Sequence, residues 1–471
     1  MPTPNIYRAL PSYPSTPQRR TAIVTGASGI SGQYMLRHLA SYPERWEKVW
    51  ALSRGRPGVL DSLQGKEGKV SIEHVAVDFL AGKDEIAKVL RENGISADTV
   101  FFFAYMEVKG EEGEEDEGMW GAQGKMLEVN GKMLKDFILA MEDRPFERIV
   151  LQTGAKSHLI NCPELRPSSR TQPSPLSRRR STCFDHPEFL LCYLSAHEGI
   201  RIMVEAFDVV GIAYFPVLTT NNFTYYRQED ILSELAPKQN FTYSITRPSH
   251  ILGAAKGNYM NLAIALGLYF VVQKELGEPA IFPGTEHKYH SFETFSGAAL
   301  NSHLAEFCAL TPECAGEAFN ALNGDTTTWA RIYPALASYW SATLPPPSTH
   351  FSDPSPRPFT LVLDTPAPYP SHQKSELNLR NSLQAWAAEP KVVEAWERIA
   401  QREGLDTEVF AKASWGFADA ALALGWGVVL GGNKLRKFGF HATVDSYDDW
   451  VRVWEEAQEL GFLPKVGSGS K

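Results

Sequence analysis

Cysteine is scarce in this sequence, and its five cysteines offer neither a disulfide framework nor a metal site. They are Cys162, Cys183, Cys192, Cys308 and Cys314. Their number is odd, and no two of them have the Cys-x-x-Cys spacing that zinc sites use. We therefore expect free thiols in a cytoplasmic protein, and no bound metal.

Long apolar runs and an excess of basic residues are also missing. The two most apolar stretches, 262–272 and 420–432, are too short to cross a bilayer and are typical of buried helices. The net charge of −9 argues against a basic surface for nucleic acid or anionic lipid. These absences predict a soluble protein that has neither a membrane nor a nucleic-acid partner.

From Thr21 onward, short apolar segments alternate with segments whose apolar residues have helical spacing. Apolar strands separated by helices are typical of a parallel sheet that is covered on both faces. The predicted fold class is α/β, a Rossmann-type doubly wound parallel sheet with a smaller mixed α/β substrate-binding portion on the C-terminal side. The predicted strands are 21–25, 48–53, 70–77, 98–105 and 148–154, and the predicted helices are 32–42, 84–93 and 124–141.

A glycine-rich loop joins the first strand to the first helix. Its glycines have G-x-x-G-x-x-G spacing, which allows a tight turn, close approach of a pyrophosphate and close helix packing. The free N–H groups of the following helix would bind phosphate oxygens. The loop therefore predicts a dinucleotide site, whose candidate residues here are Thr25, Gly26, Ser28, Gly29, Ile30 and Gly32.

The end of the second strand distinguishes NAD from NADP. An NAD site has Asp or Glu there for the ribose 2′-hydroxyl, whereas this chain has Ser53 and Arg54. A guanidinium suits a 2′-phosphate, so we predict NADPH/NADP⁺ as the cofactor. Asp78 is placed either to contact the adenine or to cap a helix. The remaining candidate cofactor-binding residues are Phe79, Ala104, Thr153, Pro248 and Ile251.

The predicted organisation has three parts. Residues 1–20 are proline-rich and lack the apolar region of a signal peptide, so we expect a flexible tail or a surface strap. Residues 21–255 form the NADP-binding Rossmann domain, with an insertion at about 160–220. Residues 256–471 form the substrate-binding portion, partly interleaved with the Rossmann domain.

The Tyr-x-x-x-Lys pair of ordinary short-chain dehydrogenases is absent from the helix after the fifth strand. The one match, Tyr105 with Lys109, follows the fourth strand, and we interpret it as coincidental. Two other motifs are present instead. L-Q-T-G-A-K ends at Lys156, and N-F-T-Y-Y-R-Q-E-D spans 222–230.

With these motifs, the chain resembles the progesterone-5β-reductase/iridoid-synthase-like (PRISE-like) family of atypical short-chain dehydrogenases. The resemblance implies that Lys156 is the catalytic lysine and Tyr225 the catalytic tyrosine. Thr224 stands where the family has an aromatic residue, so Tyr226 remains an alternative to Tyr225. Further segments that resemble the family are 128–138, 257–266, 317–329 and 415–419.

The resemblance implies NADPH-dependent reduction of the carbon–carbon double bond of enones and enals. A hydride added to the β-carbon moves negative charge onto the carbonyl oxygen, where a phenol hydrogen bond would stabilise the enolate. A nearby ammonium favours negative charge on that phenol. Two alternatives remain: an NADP-binding, NmrA-like sensor without catalysis, and a member recruited for cyclisation or isomerisation.

The expected substrate is a small apolar carbonyl compound of the secondary-metabolite type. Aromatic residues in the second half would line an apolar pocket, although the same residues are equally typical of a core. We take Tyr105, Trp415 and Phe417 as candidate pocket residues and a homodimer as the candidate assembly.

The insertion separates Lys156 from Tyr225 by 69 positions, a wider gap than the family has. It includes a basic, Ser/Pro-rich segment at 166–182, and we predict that 163–185 is mobile. Three interpretations remain open: a disordered insertion whose ends still close the site, a lid over the substrate, or a translated intron.

Overall fold

The computed structural model describes residues 6–13, 18–63, 70–106, 123–155, 224–258, 260–347, 350–351, 357–363, 375–424 and 427–467. The strands are β1 (Arg20–Thr25), β2 (Trp46–Ser53), β3 (Ser71–Ala76), β4 (Thr99–Phe102), β5 (Arg148–Gln152), β6 (Thr242–Pro248), β7 (His250–Leu252), β8 (Phe292–Glu293), β9 (Phe295–Gly297), β10 (Glu317–Ala321), β11 (Thr327–Thr328), β12 (Phe359–Leu363) and β13 (Ser375–Leu379).

The helices are α1 (Ile30–Ala40), α2 (Leu60–Leu63), α3 (Lys83–Glu92), α4 (Gln123–Ala140), α5 (Thr224–Gln239), α6 (Leu262–Leu276), α7 (Glu286–His290), α8 (Ala298–Leu310), α9 (Trp329–Tyr339), α10 (Leu383–Ala387), α11 (Pro390–Glu403), α12 (Glu408–Ala411), α13 (Trp415–Ala423), α14 (Asn433–Lys437) and α15 (Ser446–Glu459). A short 3₁₀ turn, Pro312–Cys314, follows α8.

Seven parallel strands form the central sheet, in the order β10-β6-β5-β4-β1-β2-β3. The chain runs outward from β1 to β3 and then crosses back to β4 on the other side of β1. This reversal opens a crevice at the carboxyl ends of β1 and β4, where doubly wound sheets bind ligands. The predicted Rossmann-type fold is confirmed, and the segments predicted as strands and helices up to residue 154 form those elements with shifted ends.

Both faces of the sheet are buried. Alternate residues of a strand pack on opposite faces, because successive side chains point in opposite directions. In β1, Ala22 and Val24 pack with apolar residues of α1 and α8. Ile23 packs on the other face, with apolar residues of α3, α4 and α5. The sheet is therefore one layer between two layers of helices, as its unbroken apolar strands predict.

The C-terminal half has its own apolar core around α6. Every residue from Leu262 to Gln273 is buried in that helix, which begins where the Asn261 side chain accepts the Ile264 N–H and ends at left-handed Gly277. The helix packs against α11, α13 and α15. The stretch 262–272 is thus the buried helix that its composition predicts, and no helix among the described residues is long and apolar enough to cross a membrane.

The second apolar stretch, 420–432, is not the continuous buried helix that we expected. Helix α13 ends at Ala423, and Val428 instead pairs with Glu293 in an isolated β-bridge. Gly427 lies so close to the Phe292 backbone that a Cβ there would be 1.9 Å from its carbonyl oxygen. Residues 427 and 428 therefore pack against a distant segment of the chain instead of continuing the helix.

The two halves of the chain are interleaved. Strand β10 lies beyond residue 256 and forms the outer strand of the central sheet, beside β6. Residues 6–13 lie on the C-terminal half, where the backbones of Arg8 and Thr443 exchange two hydrogen bonds of 2.9 and 3.0 Å. This described part of the predicted tail therefore lies against the protein in the manner of a strap.

Candidate functional site

The glycine loop fits tightly between β1 and the end of β4. Gly26 has a φ of +60°, and a Cβ on it would lie 2.7 Å from the carbonyl oxygen of Phe103. A Cβ on Gly32 would lie 2.3 Å from the carbonyl oxygen of Gly26. These two positions require glycine, one for its left-handed backbone and both for space.

The side chain of Thr25 ends β4 earlier than the apolar pattern predicts. Its hydroxyl oxygen accepts the N–H groups of Phe103 and Ala104, at 3.1 and 3.2 Å. Because those N–H groups are no longer available to the sheet, the chain leaves it after Phe102 and not at 105. Thr25 thereby fixes the backbone of Ala104 beside the glycine loop.

The N-terminus of α1 faces this loop. Its N-cap residue is Gly29, which has no side chain to accept the first N–H groups of the helix. The Ile30 N–H is donated to the side-chain oxygen of Asn258, at 3.3 Å. A glycine cradle in front of the first N–H groups of a helix fits a pyrophosphate, so the residues present suit a dinucleotide.

Arg54 follows β2 and is exposed at the edge of the crevice. Its guanidinium lies 3.9 Å from the sulfur of Met106, and it forms no ion pair with any described residue. The neighbouring Arg56 differs, because it is paired with Asp61 at 2.7 Å. Among the described residues, Arg54 is therefore the arginine of this loop that has no carboxylate partner.

Two residues after β3 have local structural contacts. Asp78 is exposed, and its carboxylate accepts the Leu80 N–H at 3.0 Å, so it caps the turn that follows the strand. The ring of Phe79 packs into the core, 6.2 Å from the ring of Phe102 and 5.9 Å from that of Phe137. For Asp78 the structure thus places a capping contact where the sequence left capping and adenine contact open.

Tyr225 lies in the first turn of α5 with its hydroxyl at the carboxyl end of β5. A Cβ on Gly154 would lie 3.0 Å from that hydroxyl oxygen. The ring of Tyr105 is 6.4 Å away, on the segment that follows β4. Burial raises the pKa of Tyr225 well above its usual range, and Tyr105 adds to the shift. The phenol is therefore a hydrogen-bond donor at neutral pH.

An ion pair fixes α5 against β6. Two guanidinium N–H groups of Arg247 reach Glu229, and the shortest distances to its two carboxylate oxygens are 2.7 and 2.8 Å. Glu229 lies one helical turn after Tyr225, and Arg247 precedes Pro248 at the end of β6. The pair therefore sets the position of Tyr225 relative to the sheet edge.

The predicted cofactor residues beyond β5 lie along the same edge. The Thr153 N–H donates to Thr246 at 2.9 Å, and the Ala155 N–H donates to Pro248 at 2.8 Å. Ile251 packs against a small apolar cluster that includes Ile30. Lys156, Lys109 and the insertion at 160–220, with its segment 163–185, lie outside the described residues.

Known proteins are similar to this chain in one domain and over nearly its full length. A family model described as a PRISE-like Rossmann-fold domain matches residues 211–357. The short chain dehydrogenase gsfE of Penicillium aethiopicum is 26% identical and aligns over 95% of this chain and 100% of its own. The predicted resemblance to the PRISE-like family of short-chain dehydrogenases is thereby confirmed.

Two plant relatives of this PRISE-like chain have more specific names. An (S)-8-oxocitronellyl enol synthase of Nepeta cataria is 27% identical over 67% of this chain and 68% of its own. A 3-oxo-Δ(4,5)-steroid 5-β-reductase of Arabidopsis thaliana is 37% identical over 26% of this chain and 31% of its own. The predicted family and the predicted enzyme class, an oxidoreductase, are thereby confirmed.

The candidate pocket aromatics of the PRISE-like chain occupy different surroundings. Trp415 packs in the C-terminal core, with its ring 5.0 Å from Phe410 and its N–H donated to the Phe410 carbonyl. Phe417 packs against the ring of His250, 6.2 Å away, just beyond β6. Both are therefore residues of the C-terminal core, and Phe417 in addition reaches the segment that continues from the sheet edge.

Several polar residues around this edge belong to no motif that is recognisable in the sequence. Asn130 in α4 holds the backbone N–H and carbonyl of Met106, each at 2.8 Å. Lys288 and Glu293 form a fully buried ion pair next to His250. Burial raises the pKa of Glu293 to about 7, although Lys288 opposes the shift. No group of three or more His, Cys, Asp or Glu side chains in the described part could hold a metal.

Proposed function

We propose that this chain is an NADPH-dependent reductase of activated carbon–carbon double bonds that acts on small apolar enones or enals. The observation that carries the proposal is the Tyr225 hydroxyl, a buried donor at the sheet edge. The hydroxyl lies over Gly154. The ring of Tyr225 lies near that of Tyr105, which directly follows Ala104 beside the glycine cradle. A donor at this place can bind a carbonyl oxygen close to a dinucleotide in the cradle.

The nucleotide part of the proposal rests on two features. The cradle of Gly26 and Gly32 and the N-terminus of α1 would hold the pyrophosphate. Arg54 has no carboxylate partner among the described residues and would bind a 2′-phosphate in the manner of NADP-selective sites. The bound nicotinamide would supply the hydride for the β-carbon of the substrate.

In the proposed reaction, Tyr225 supplies the hydrogen bond by which the protein stabilises the developing enolate. Its O–H would donate to the substrate carbonyl oxygen, and this hydrogen bond would become stronger as negative charge develops on that oxygen. Because burial keeps the phenol protonated, the donor is in place before the reaction begins. Lys156 is the family's catalytic lysine by resemblance, and a charge near this phenol would ease transfer of its proton to the enolate oxygen.

The proposed substrate is apolar because an aromatic ring, that of Tyr105, lies beside Tyr225. Tyr105 presents its ring to the site, and its hydroxyl is 3.7 Å from the sulfur of Met126. Phe417 covers the segment beyond β6. Aromatic surroundings bind hydrocarbon through burial, and the Tyr225 phenol would bind the carbonyl.

A screen of NADPH consumption tests this function. Purified full-length protein would be incubated with small enals, cyclic enones and steroid enones, and products identified by mass spectrometry. We expect saturated aldehydes or ketones, two hydrogens heavier than the substrate, from the wild type but only traces from Tyr225→Phe. NADPH binding without consumption across the screen would contradict a reductase and favour the sensor alternative. Product formation without net consumption would favour isomerisation or cyclisation.

A further inference from the structure

Helix α1 receives its N-terminal hydrogen-bond acceptor from a distant part of the chain. Asn258 lies 228 positions after Ile30, and its side-chain oxygen accepts the Ile30 N–H at 3.3 Å. The same oxygen would lie 3.8 Å from a Cβ on Gly29, so it sits directly in front of the glycine cradle. Residues 253–258 thus reach across to the place where the helix begins.

The Ile30 N–H is also a group that a pyrophosphate in this cradle would use. A helix N-terminus binds anions through such N–H groups and through its positive dipole end. A phosphate oxygen carries a formal negative charge, whereas the amide oxygen of Asn258 carries only part of one. The charge-assisted hydrogen bond is the stronger of the two, so a phosphate can displace Asn258 from Ile30.

Asn258 is tied to the C-terminal half through Ser414. The Ser414 hydroxyl donates to the backbone carbonyl of Asn258 at 2.6 Å. That hydroxyl oxygen also accepts the N–H of Asn261, at 3.3 Å. Ser414 is the N-cap residue of α13, which carries Phe417 against His250. A change at Asn258 therefore has a short covalent and hydrogen-bonded route to the substrate side.

We propose that Asn258 is a positioning residue that occupies the pyrophosphate place at Ile30 and, when displaced, signals cofactor binding through Ser414 to α13. This inference rests on the proposed function, because it requires a dinucleotide in the cradle. According to this inference, the cofactor must break the hydrogen bond between Ile30 and Asn258 before its phosphate can bind. The substrate-side helix then responds to the occupancy of the cradle.

Cofactor affinity of two Asn258 variants tests the first half of the proposal. Asn258→Ala removes the competing acceptor, and we expect it to bind NADPH about three- to tenfold more tightly by calorimetric titration. Asn258→Asp keeps the acceptor and adds a repelling charge, so its affinity should fall by about tenfold or more. Asn93→Ala, at the exposed end of α3, should match the wild type. Equal or weaker NADPH binding by Asn258→Ala would overturn the proposal and leave Asn258 a structural cap.

Adenosine 2′-monophosphate separates failure of this inference from failure of the proposed function. It carries the phosphate that Arg54 would bind but no pyrophosphate, so its affinity should be the same for all four proteins. If neither it nor NADPH binds the wild type, the proposed function fails, and the inference with it. If both bind, and NADPH binds the variants and the wild type equally, the function stands and the inference is wrong.

Hydrogen exchange tests the route through Ser414. We expect NADPH to change amide exchange in 253–261 and in the first turn of α13 in the wild type. Ser414→Ala should bind NADPH but confine the change to 253–261, because the link to Asn258 is gone. A response of α13 that is the same in Ser414→Ala as in the wild type would show that this link carries no signal.

Discussion

Gly154 and Tyr225 lie in contact at the carboxyl edge of the sheet, and a single methyl group at position 154 would reach within 3.0 Å of the phenol oxygen. The two residues come from opposite sides of the insertion, from the end of β5 and the start of α5. Their contact means that the fold brings the two motifs together across the long insertion. It also makes the position of the phenol sensitive to small changes in the loop after β5.

Removing the phenol hydroxyl should slow turnover and leave cofactor binding intact. Tyr225→Phe deletes the donor that stabilises the developing enolate, and the loss of one such donor typically lowers kcat by about 10²–10³. We expect the Kd for NADPH to stay within about twofold of the wild-type value. Tyr226→Phe is the matched control and should retain most activity. Inactivation by Tyr226→Phe with an active Tyr225→Phe would move the assignment by one residue.

A methyl group beneath the phenol should have an intermediate effect. In Gly154→Ala the new Cβ would force the Tyr225 ring to move by a few tenths of an ångström, because 3.0 Å is closer than ordinary contact. We expect kcat to fall by roughly tenfold, since small errors in position are costly in catalysis. The Tyr225→Phe background supplies the test of cause. There Gly154→Ala should have almost no further effect, and additive losses would contradict a shared mechanism.

Exchange of one arginine should change the cofactor preference. Arg54→Ala removes the guanidinium proposed for the 2′-phosphate, and we expect NADPH affinity to fall by about tenfold to a hundredfold while NADH affinity stays constant. Arg56→Ala is the control, because Arg56 is already paired with Asp61. Fluorescence titration with both nucleotides measures the ratio. Equal losses of NADPH affinity in the two variants would point to a general charge effect.

The central sheet and the catalytic tyrosine candidate follow from short-range features of the sequence. The strands are unbroken apolar segments between helical ones, and Tyr225 lies in a short contiguous motif, residues 222–230, that is recognisable in the sequence. The early end of β4 could not be read in this way, because the Thr25 hydroxyl that takes the N–H groups of Phe103 and Ala104 lies 78 and 79 positions earlier. Asn258 at Ile30 and Val428 at Glu293 are contacts of the same long-range kind.

The docking of α13 also decides what its two candidate aromatic residues contact. The sequence placed Trp415 and Phe417 together, two positions apart on one predicted helix. Because residues two apart on a helix point in different directions, the Trp415 ring contacts Phe410 and the Phe417 ring contacts His250, although both lie in the C-terminal core. Which of the two faces the sheet edge depends on how α13 docks, and only the folded chain determines that.

A buried carboxylate should give the protein a measurable acid sensitivity. Glu306 in α8 has a fully buried side chain whose carboxylate lies 2.8 Å from the His38 ring nitrogen. It also accepts hydrogen bonds from the Arg45 guanidinium at 2.9 and 3.0 Å and from the Trp46 indole N–H at 2.6 Å. Burial by itself would raise the pKa of Glu306. The hydrogen bonds and charges of His38 and Arg45 outweigh it and lower the pKa to about 2. The carboxylate form therefore stabilises the folded state above pH 4.5, and this contribution is lost as the pH falls from about 4.5 to about 2.

Glu306→Gln should expose that contribution in urea unfolding at two pH values. At pH 7 the amide cannot satisfy donors on every side, and we expect the variant to lose about 3–5 kcal/mol of stability, as when one partner of a buried ion pair is removed. Near pH 3 the wild type has lost part of its own advantage, so the difference between the two proteins should shrink. Glu142→Gln removes an exposed partner of Lys83 and should change stability by less than about 1 kcal/mol at either pH. A Glu306→Gln deficit that stays constant from pH 7 to pH 3 would mean that the charge of this carboxylate does not stabilise the contact between α8 and α1.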